Sequence, residues 1–240
     1  MKIALVGYGK MGKAIEQIAL QRGHEIVACI DADNPNELQT LTPAHCDVAI
    51  EFSQPESAFE NISQCLRNGI KVLSGTTGWL ARLPEIERLT LEKNGTFLHS
   101  ANYSVGVNIF FELNKWLASK MAEKAQYRVE MEEIHHLEKK DAPSGTALRL
   151  MDGLKAENPH IVGWTHGPTT DHTKVGIISK REPNVPGTHT VQYASALETI
   201  EIKHTAHSRD IFAAGAVDVA EWIQNQTGVR TMNDYLNDLN

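Results

Sequence analysis

The segment from Lys2 to Asp31 leaves this chain few choices of fold. Lys2 to Val6 is a compact apolar run, followed by Gly7-Tyr8-Gly9-Lys10-Met11-Gly12 and by a helical pattern through Ala14, Ile15, Ile18 and Ala19 that stops at Gly23. A second apolar run, Ile26 to Ile30, ends in Asp31, about twenty residues past the last glycine of the turn. Strand, glycine turn, helix and strand in this order form a dinucleotide-binding fingerprint. The glycines permit the tight turn and close approach of a pyrophosphate, the helix N-terminus faces its charge, and the acid meets the ribose hydroxyls. The competing reading is a glycine-rich turn in an unrelated α/β protein.

The alternation continues. Val48-Ala49-Ile50 reads as a strand, Ser53 with Glu56 as a capping box, and the next helix runs to about Asn68 before Gly69. The strand Ile70–Leu73 leads into the small-residue loop Ser74-Gly75-Thr76-Thr77-Gly78. A helix from about Pro84 to Asn94 and the strand Thr96–His99 lead into Ser100-Ala101-Asn102-Tyr103-Ser104-Val105-Gly106. Such a pattern predicts a doubly wound, Rossmann-like parallel sheet with ligand-binding loops at the C-terminal ends of its strands.

Beyond it, Val107 to Ala122 reads as a helix with Phe110, Phe111, Leu113, Trp116 and Leu117 as core positions, a hinge into a second domain. Val175–Ile178, Thr188–Tyr193 and Thr199–Lys203 look like strands joined without long helices, which favours an antiparallel or mixed sheet. Asn158 to Asp171 has little periodicity and reads as a loop. The last helix, about Arg209 to Gln224, is apolar over a broad surface and is expected to return to the first domain. The predicted organisation is a dinucleotide-binding domain of residues 1–104 and 209–240 with an inserted α+β substrate and oligomerisation domain of residues 105–208.

The densest chemistry lies between Glu132 and Ala147, E-E-I-H-H-L-E-K-K-D-A-P-S-G-T-A. Tyr127, Val129 and Met131 alternate with Arg128, Glu130 and Glu132 as in a half-buried strand, and His135 and His136 stand where it ends. Asp141-Ala142-Pro143 continues neither strand nor helix. Ser144 is a candidate N-cap for the apolar set Ala147, Leu148, Leu150, Met151 and Leu154, and such a helix start favours an anion. With Lys139 and Lys140 upstream, the loop offers ammonium, imidazole and N–H groups to one carboxylated ligand; a solvated charged loop with an ordinary cap is the plainer alternative. Two histidines are also half of a metal site, but no thiolate or third histidine stands at ligand spacing, so no metal is expected.

Charge narrows the partners. The net charge of −7 argues against a nucleic-acid surface. No apolar run approaches membrane-spanning length, and Cys29, Cys46 and Cys65, with no C-x-x-C pair, read as reduced core thiols of a cytoplasmic protein.

On these residues the chain resembles the 4-hydroxy-tetrahydrodipicolinate (dihydrodipicolinate) reductases of the diaminopimelate route to lysine. The resemblance covers nearly the whole chain. It rests on Gly7–Gly12, Gly75-Thr76-Thr77-Gly78, Asn102–Asn108 and, most specifically, His135-His136 with Lys139 and Asp141–Ala147. It implies His135 and Lys139 as catalytic residues and His136, Gly145 and Thr146 as contacts of the substrate's carboxylates. Cofactor contacts would fall on Gly7, Tyr8, Gly9, Lys10, Met11, Gly12, Asp31, Gly75, Thr76, Thr77, Ser100, Ala101, Asn102 and Tyr103. It also implies NADH or NADPH as cofactor, a small dicarboxylate as substrate and a homotetramer. Two departures stand out: the first glycine loop is one residue shorter than the commonest family form, and Asp31 is followed by Ala32 rather than a basic residue.

The implied reaction is reduction of 4-hydroxy-tetrahydrodipicolinate with loss of water, a hydride from the nicotinamide and a proton from the protein. Asp31 should favour NADH at least as much as NADPH, and exposed apolar positions on the second sheet predict self-association there. Rival readings are another two-domain NAD(P) dehydrogenase of an amino or keto acid, or a nucleotide-sensing module without turnover.

Overall fold

The computed structural model describes residues 1–239. The chain folds as two compact units, one made of Met1–Val105 with the segment from Asp210 onward, the other of Gly106–Arg209.

The first unit contains β1 (Lys2–Val6), α1 (Lys10–Gln21), β2 (Glu25–Ile30), β3 (Val48–Glu51), α2 (Pro55–Arg67), β4 (Lys71–Ser74), α3 (Leu83–Glu92) and β5 (Thr96–His99). The second contains nearly all of α4 (Val105–Met121), then β6 (Arg128–His135), α5 (Gly145–Glu157), β7 (Gly163–His166), β8 (Lys174–Arg181), β9 (Gly187–Ala194) and β10 (Thr199–Ala206). The chain then returns to the first unit as α6 (Asp210–Ile223), β11 (Gly228–Arg230) and α7 (Met232–Asn237).

The first sheet has the order β2-β1-β3-β4-β5-β11 with every pairing parallel. Its strands are apolar on both faces because helices cover both. Ile3 and Leu5 join Ile15, Ala19, Ala216, Val217 and Ala220 in one core, while Ala4 and Val6 join Ala58, Ile62, Leu66 and Ile86 in the other. The chain reverses direction across the sheet between β1 and β3, and a crevice opens beyond the carboxyl ends of these two strands. Lys71 fastens the returning segment, its ammonium donating to the carbonyls of Ile223, Gln224 and Gln226 at 3.2, 2.6 and 2.9 Å. The cysteines are unpaired, and burial raises the Cys46 thiol to about 11.

The second sheet is mixed, β10-β9-β6-β8-β7, with β6–β8 and β7–β8 parallel and the rest antiparallel. Val129, Met131, Val191 and Tyr193 turn to one face and pack against Phe111, Leu150 and Leu154.

Several expectations are corrected. The stretch Asn158 to Asp171 contains β7, too short to carry a period, and the three-residue β11 has no pattern of its own. Ser53 does not cap α2, which starts at Pro55 after Gln54; the buried Glu51 carboxylate claims the Ser53 hydroxyl at 2.5 Å instead. Leu113 and Trp116 lie 41% and 58% exposed on the outer side of α4, not in its core. Among the described residues no helix is long and apolar enough to cross a membrane.

Candidate active site

Strand parity brings the key side chains of the second unit together. The residues of β6 that face the core are Val129 and Met131, and the same two-residue step places Glu133 and His135 on that buried face. Glu133 is 0% exposed and His135 is 7% exposed. In the antiparallel register Glu133 stands opposite His189 of β9, so a third histidine arrives across the sheet where the sequence showed only two. The rings of His135 and His189 meet edge to face with centroids 5.0 Å apart.

Glu133 is the hub. Its Oε2 accepts the main-chain N–H of Ser144 at 3.0 Å and lies 3.4 Å from His135 Nδ1 and 3.9 Å from His189 Nε2. Ser144 caps α5 as expected, its hydroxyl accepting from Ala147 N at 3.2 Å while lying 3.1 Å from His189 Nε2. Arg181, beside His135 on β8, has Nη1 3.6 Å from Glu133 Oε1 and donates to the carbonyls of Lys139 at 3.2 Å and Asp141 at 2.6 Å. It ties the loop to the sheet.

That loop carries the cations. Lys139 Nζ reaches both Asp141 oxygens at 2.8 Å. His136 sits between Arg209 Nη2, 2.8 Å from its Nε2, and Glu138, 2.9 Å from its Nδ1. A guanidinium only donates, so Nε2 accepts and Nδ1 carries the proton. With the first turn of α5 at Gly145 and Thr146, this edge is cationic and suited to a dianion.

Electrostatics separate the two buried histidines from the carboxylate. Burial alone would raise the Glu133 carboxyl, but donors from Ser144 and Ser179 outweigh it and hold it below its ordinary range. Burial pushes His135 down, and of its neighbours Glu133 opposes this while Lys139 and Arg181 add to it. Burial, then His135, lowers His189 to about 3. Glu133, His135 and His189 each bring a ligand-type atom within 4.8 Å of the others. Ser144 already engages Glu133 and His189, and Arg181 stands beside the carboxylate.

The first unit holds the other predicted residues. A groove of about 280 Å³ at the carboxyl ends of β1 and β3 is lined by Gly7, Gly9, Asp31, Ala32, Phe52 and Ser53, among others. Gly7 has φ +94°, and a Cβ there would lie 2.2 Å from Phe52 O; a Cβ at Gly9 would meet nothing within 4 Å. The turn is thus closed behind and open in front, as a pyrophosphate requires. Asp31 is exposed, with one carboxylate oxygen accepting from Ala32 N at 2.9 Å. Lys13 Nζ lies 5.6 Å from the Tyr8 ring, whose hydroxyl donates to Glu16.

Two predicted contacts have side chains committed elsewhere. The Thr76 hydroxyl donates to Glu51 at 2.8 Å and accepts from Ser53 N, and Tyr103, 1% exposed, donates its hydroxyl to Ser74 O at 2.9 Å. Their contribution to a ligand falls to the main chain. Met11 packs against the core, Ser100 Oγ donates to Asn102 O at 2.7 Å, and Ala101 is exposed. Sequence reasoning missed His189, Arg181, Arg209 and Glu51. Only cross-strand register shows the first two.

The family models described as dihydrodipicolinate reductase, N-terminus, and dihydrodipicolinate reductase, C-terminus, match residues 1–103 and 106–236. The chain belongs to the dihydrodipicolinate reductase family. It is thereby an enzyme, an NAD(P)H-dependent oxidoreductase. It is 47% identical over 239 residues to the 4-hydroxy-tetrahydrodipicolinate reductase of Christiangramia forsetii, covering 100% of this chain and 99% of that one. The corresponding protein of Staphylococcus haemolyticus is 37% identical, over 95% and 96% of the two chains. The fold is similar to that of dipicolinate-bound dihydrodipicolinate reductase from Paenisporosarcina sp. TG-14, with TM-score 0.78, 22% identity and coverage of 96% and 97%.

Proposed function

We propose that this chain reduces 4-hydroxy-tetrahydrodipicolinate to tetrahydrodipicolinate with loss of water, in the diaminopimelate route to lysine, with the proton chemistry centred on His135 and Lys139. The observation that carries the assignment of roles is the meeting of a buried carboxylate, two buried histidines and a cationic loop at the end of β6. Lys139, His136 and the α5 N-terminus at Gly145 and Thr146 hold the substrate's two carboxylates, with Arg181 and Arg209 completing the cationic rim.

The glycine turn of the first unit, the groove beside Asp31 and the loops at Gly75–Thr77 and Ser100–Tyr103 fit a dinucleotide, which when bound supplies the hydride. The protein's own part is the proton. Reduction at C4 with loss of the 4-hydroxyl as water takes one proton besides the hydride that a bound dinucleotide would supply, and the two together account for the water and the oxidised cofactor. In this reading His135 Nε2 supplies that proton, and Lys139 holds a carboxylate beside it.

Without substrate, burial and the Lys139 and Arg181 charges keep His135 neutral near pH 7. A bound dicarboxylate neutralises those cations and favours the imidazolium, so proton uptake accompanies binding. Calorimetry of dipicolinate binding in buffers of different ionisation enthalpy measures that uptake.

Asp31 accepts the ribose hydroxyls and repels a 2′-phosphate, so NADH serves at least as well as NADPH. Self-association as a homotetramer is supported by β10, an edge strand whose residues Thr199–Glu201 are exposed. A monomeric mass at micromolar concentration would remove the tetramer. The function itself is tested by following NAD(P)H oxidation with freshly generated hydroxy-tetrahydrodipicolinate; absence of turnover with either cofactor would sink it.

A further inference from the structure

We propose that Glu133 is the positioning residue for the proton donor: it accepts the Nδ1–H of His135, fixing the ring's orientation and tautomer and leaving Nε2 as the nitrogen that serves the substrate. The inference rests on the reading of His135 as the acid.

The geometry assigns the two nitrogens differently. His135 Nδ1 is fully buried and has no hydrogen bond of good geometry, and the acceptor it faces is Glu133 Oε2 at 3.4 Å. Nε2 lies on the side of Gly187, where a Cβ would come within 3.1 Å of it. Any side chain at position 187 would press on the nitrogen proposed to carry the reacting proton. Glu133 is itself held from another element, by the Ser144 main-chain N–H at 3.0 Å at the start of α5. A ring whose buried nitrogen donates to an anchored carboxylate presents its other nitrogen in one direction and is easier to protonate there.

The surrounding charges make this carboxylate necessary. Burial, Lys139 from the loop and Arg181 from β8 disfavour an imidazolium at His135, whereas Glu133 and the more distant Asp141 favour it; His189 from β9, its own pKa lowered to about 3, faces the ring as a neutral imidazole. Glu133 is the only one of these acids that is buried with the ring. Removing its charge leaves His135 facing cations with nothing at contact range to offset them.

The test compares wild type, Glu133→Gln and Glu133→Asp in the pH dependence of kcat, together with side-chain nitrogen chemical shifts of His135. In Glu133→Gln the amide oxygen can still accept from Ser144 N, so the start of α5 is preserved while the charge is gone. Loss of an opposite charge at this range moves a pKa by about one unit or more. The limb on which activity falls with rising pH should therefore move about one unit lower, kcat at neutral pH should drop about tenfold, and KM for NADH should stay unchanged. Glu133→Asp should return the limb toward its wild-type position. Wild-type His135 should show Nδ1 protonated and Nε2 free in its neutral form.

A rate loss with the limb unmoved would reduce Glu133 to a structural role and overturn the inference, as would an Nε2-protonated neutral tautomer in wild type. Full activity in His135→Ala would instead remove the underlying reading of the acid. The two failures are thus told apart.

Discussion

Among the described residues two carboxylates are buried at the ends of parallel-paired strands, and they are solvated in opposite ways. Glu51 at the end of β3 takes four donors: Ser53 N and Ser53 Oγ at 2.9 and 2.5 Å, Ser74 Oγ at 2.6 Å and Thr76 Oγ1 at 2.8 Å. Among the described residues no cation lies within salt-bridge distance of it. Glu133 takes Ser144 N at 3.0 Å, with the Ser144 and Ser179 hydroxyls also favouring its charge, and besides these faces two histidines and Arg181. Every donor to Glu51 keeps its proton across the working pH range, so that carboxylate acts as a strut holding the loops after β3 and β4 in register. Two of the groups around Glu133, the imidazoles of His135 and His189, can gain or lose protons. A buried charge answered by hydroxyls and amides fixes structure, while one answered by imidazoles sets proton chemistry.

The comparison breaks most visibly at the histidine. His135→Ala and Lys139→Ala should each lower turnover by about 10²-fold or more, the scale of a lost general acid. If the two serve one transfer, the double variant should be little worse than the poorer single one. Lys139→Ala should also raise the substrate KM and leave NADH affinity alone; steady-state kinetics with each ligand varied in turn would expose the opposite pattern, which moves Lys139 to the nucleotide site.

Next in size is the strut. Glu51→Ala strands buried donors on three residues, and on the scale of about 1–3 kcal/mol for each unsatisfied group it should destabilise the first unit by about 3 kcal/mol and raise the KM for NADH. Denaturant melts should show that loss, and a variant as stable as wild type would mean that Glu51 is no strut.

Smaller again is Asp31→Ala, which should move the ratio of NADPH to NADH efficiency by about tenfold, the equivalent of about 1.4 kcal/mol. A strong NADPH preference in wild type that survives the substitution would show Asp31 turned away from the ribose.

A separate test, read in stability rather than turnover, concerns His189. Its folded pKa is near 3 against an ordinary 6.5, so between these values the unfolded chain binds a proton that the native one refuses, and stability falls as pH drops. The slope is at most about 1.4 kcal/mol per pH unit. His189→Gln should flatten the fall in stability between pH 6.5 and 4, and an unchanged slope in thermal melts would place the acid sensitivity elsewhere.

What the sequence carries and what it hides follow one physical line. Periodicity fixes which face of a strand a residue takes, so the strand before His135, the cap at Ser144 and the glycine turn at Gly7 could all be read locally. It says nothing about which strand lies alongside. His189 is remote from Glu133 in the chain and is its partner only through the antiparallel register, and Arg181 reaches the site through the parallel one. Ser53 reads as a cap from the sequence because its local partner, Glu56, looks like half a capping box, whereas the acceptor that takes its hydroxyl, Glu51, is revealed only by burial. Trp116 and Leu113 follow the helical period of α4 but lie on its outer side, and the same spacing serves either face. β7 and β11 are too short for any period to register.

The insertion of one unit within the other also orders the birth of the molecule. The second unit is continuous, and it can close as soon as Arg209 has emerged. The first cannot, because Ala213, Ala216, Val217, Ala220 and Ile223 of α6 complete one of its two cores, β11 adds the edge of its sheet, and Lys71 has no Ile223 carbonyl to grip until that helix arrives. At about 5–20 residues per second the earliest strands wait on the order of ten seconds with one apolar face bare, and nascent chains stalled just past Arg209 should be protease-resistant after Gly106 and cleavable before it. For this interval the oldest part of the chain is the least finished, and it is the part most in need of a chaperone.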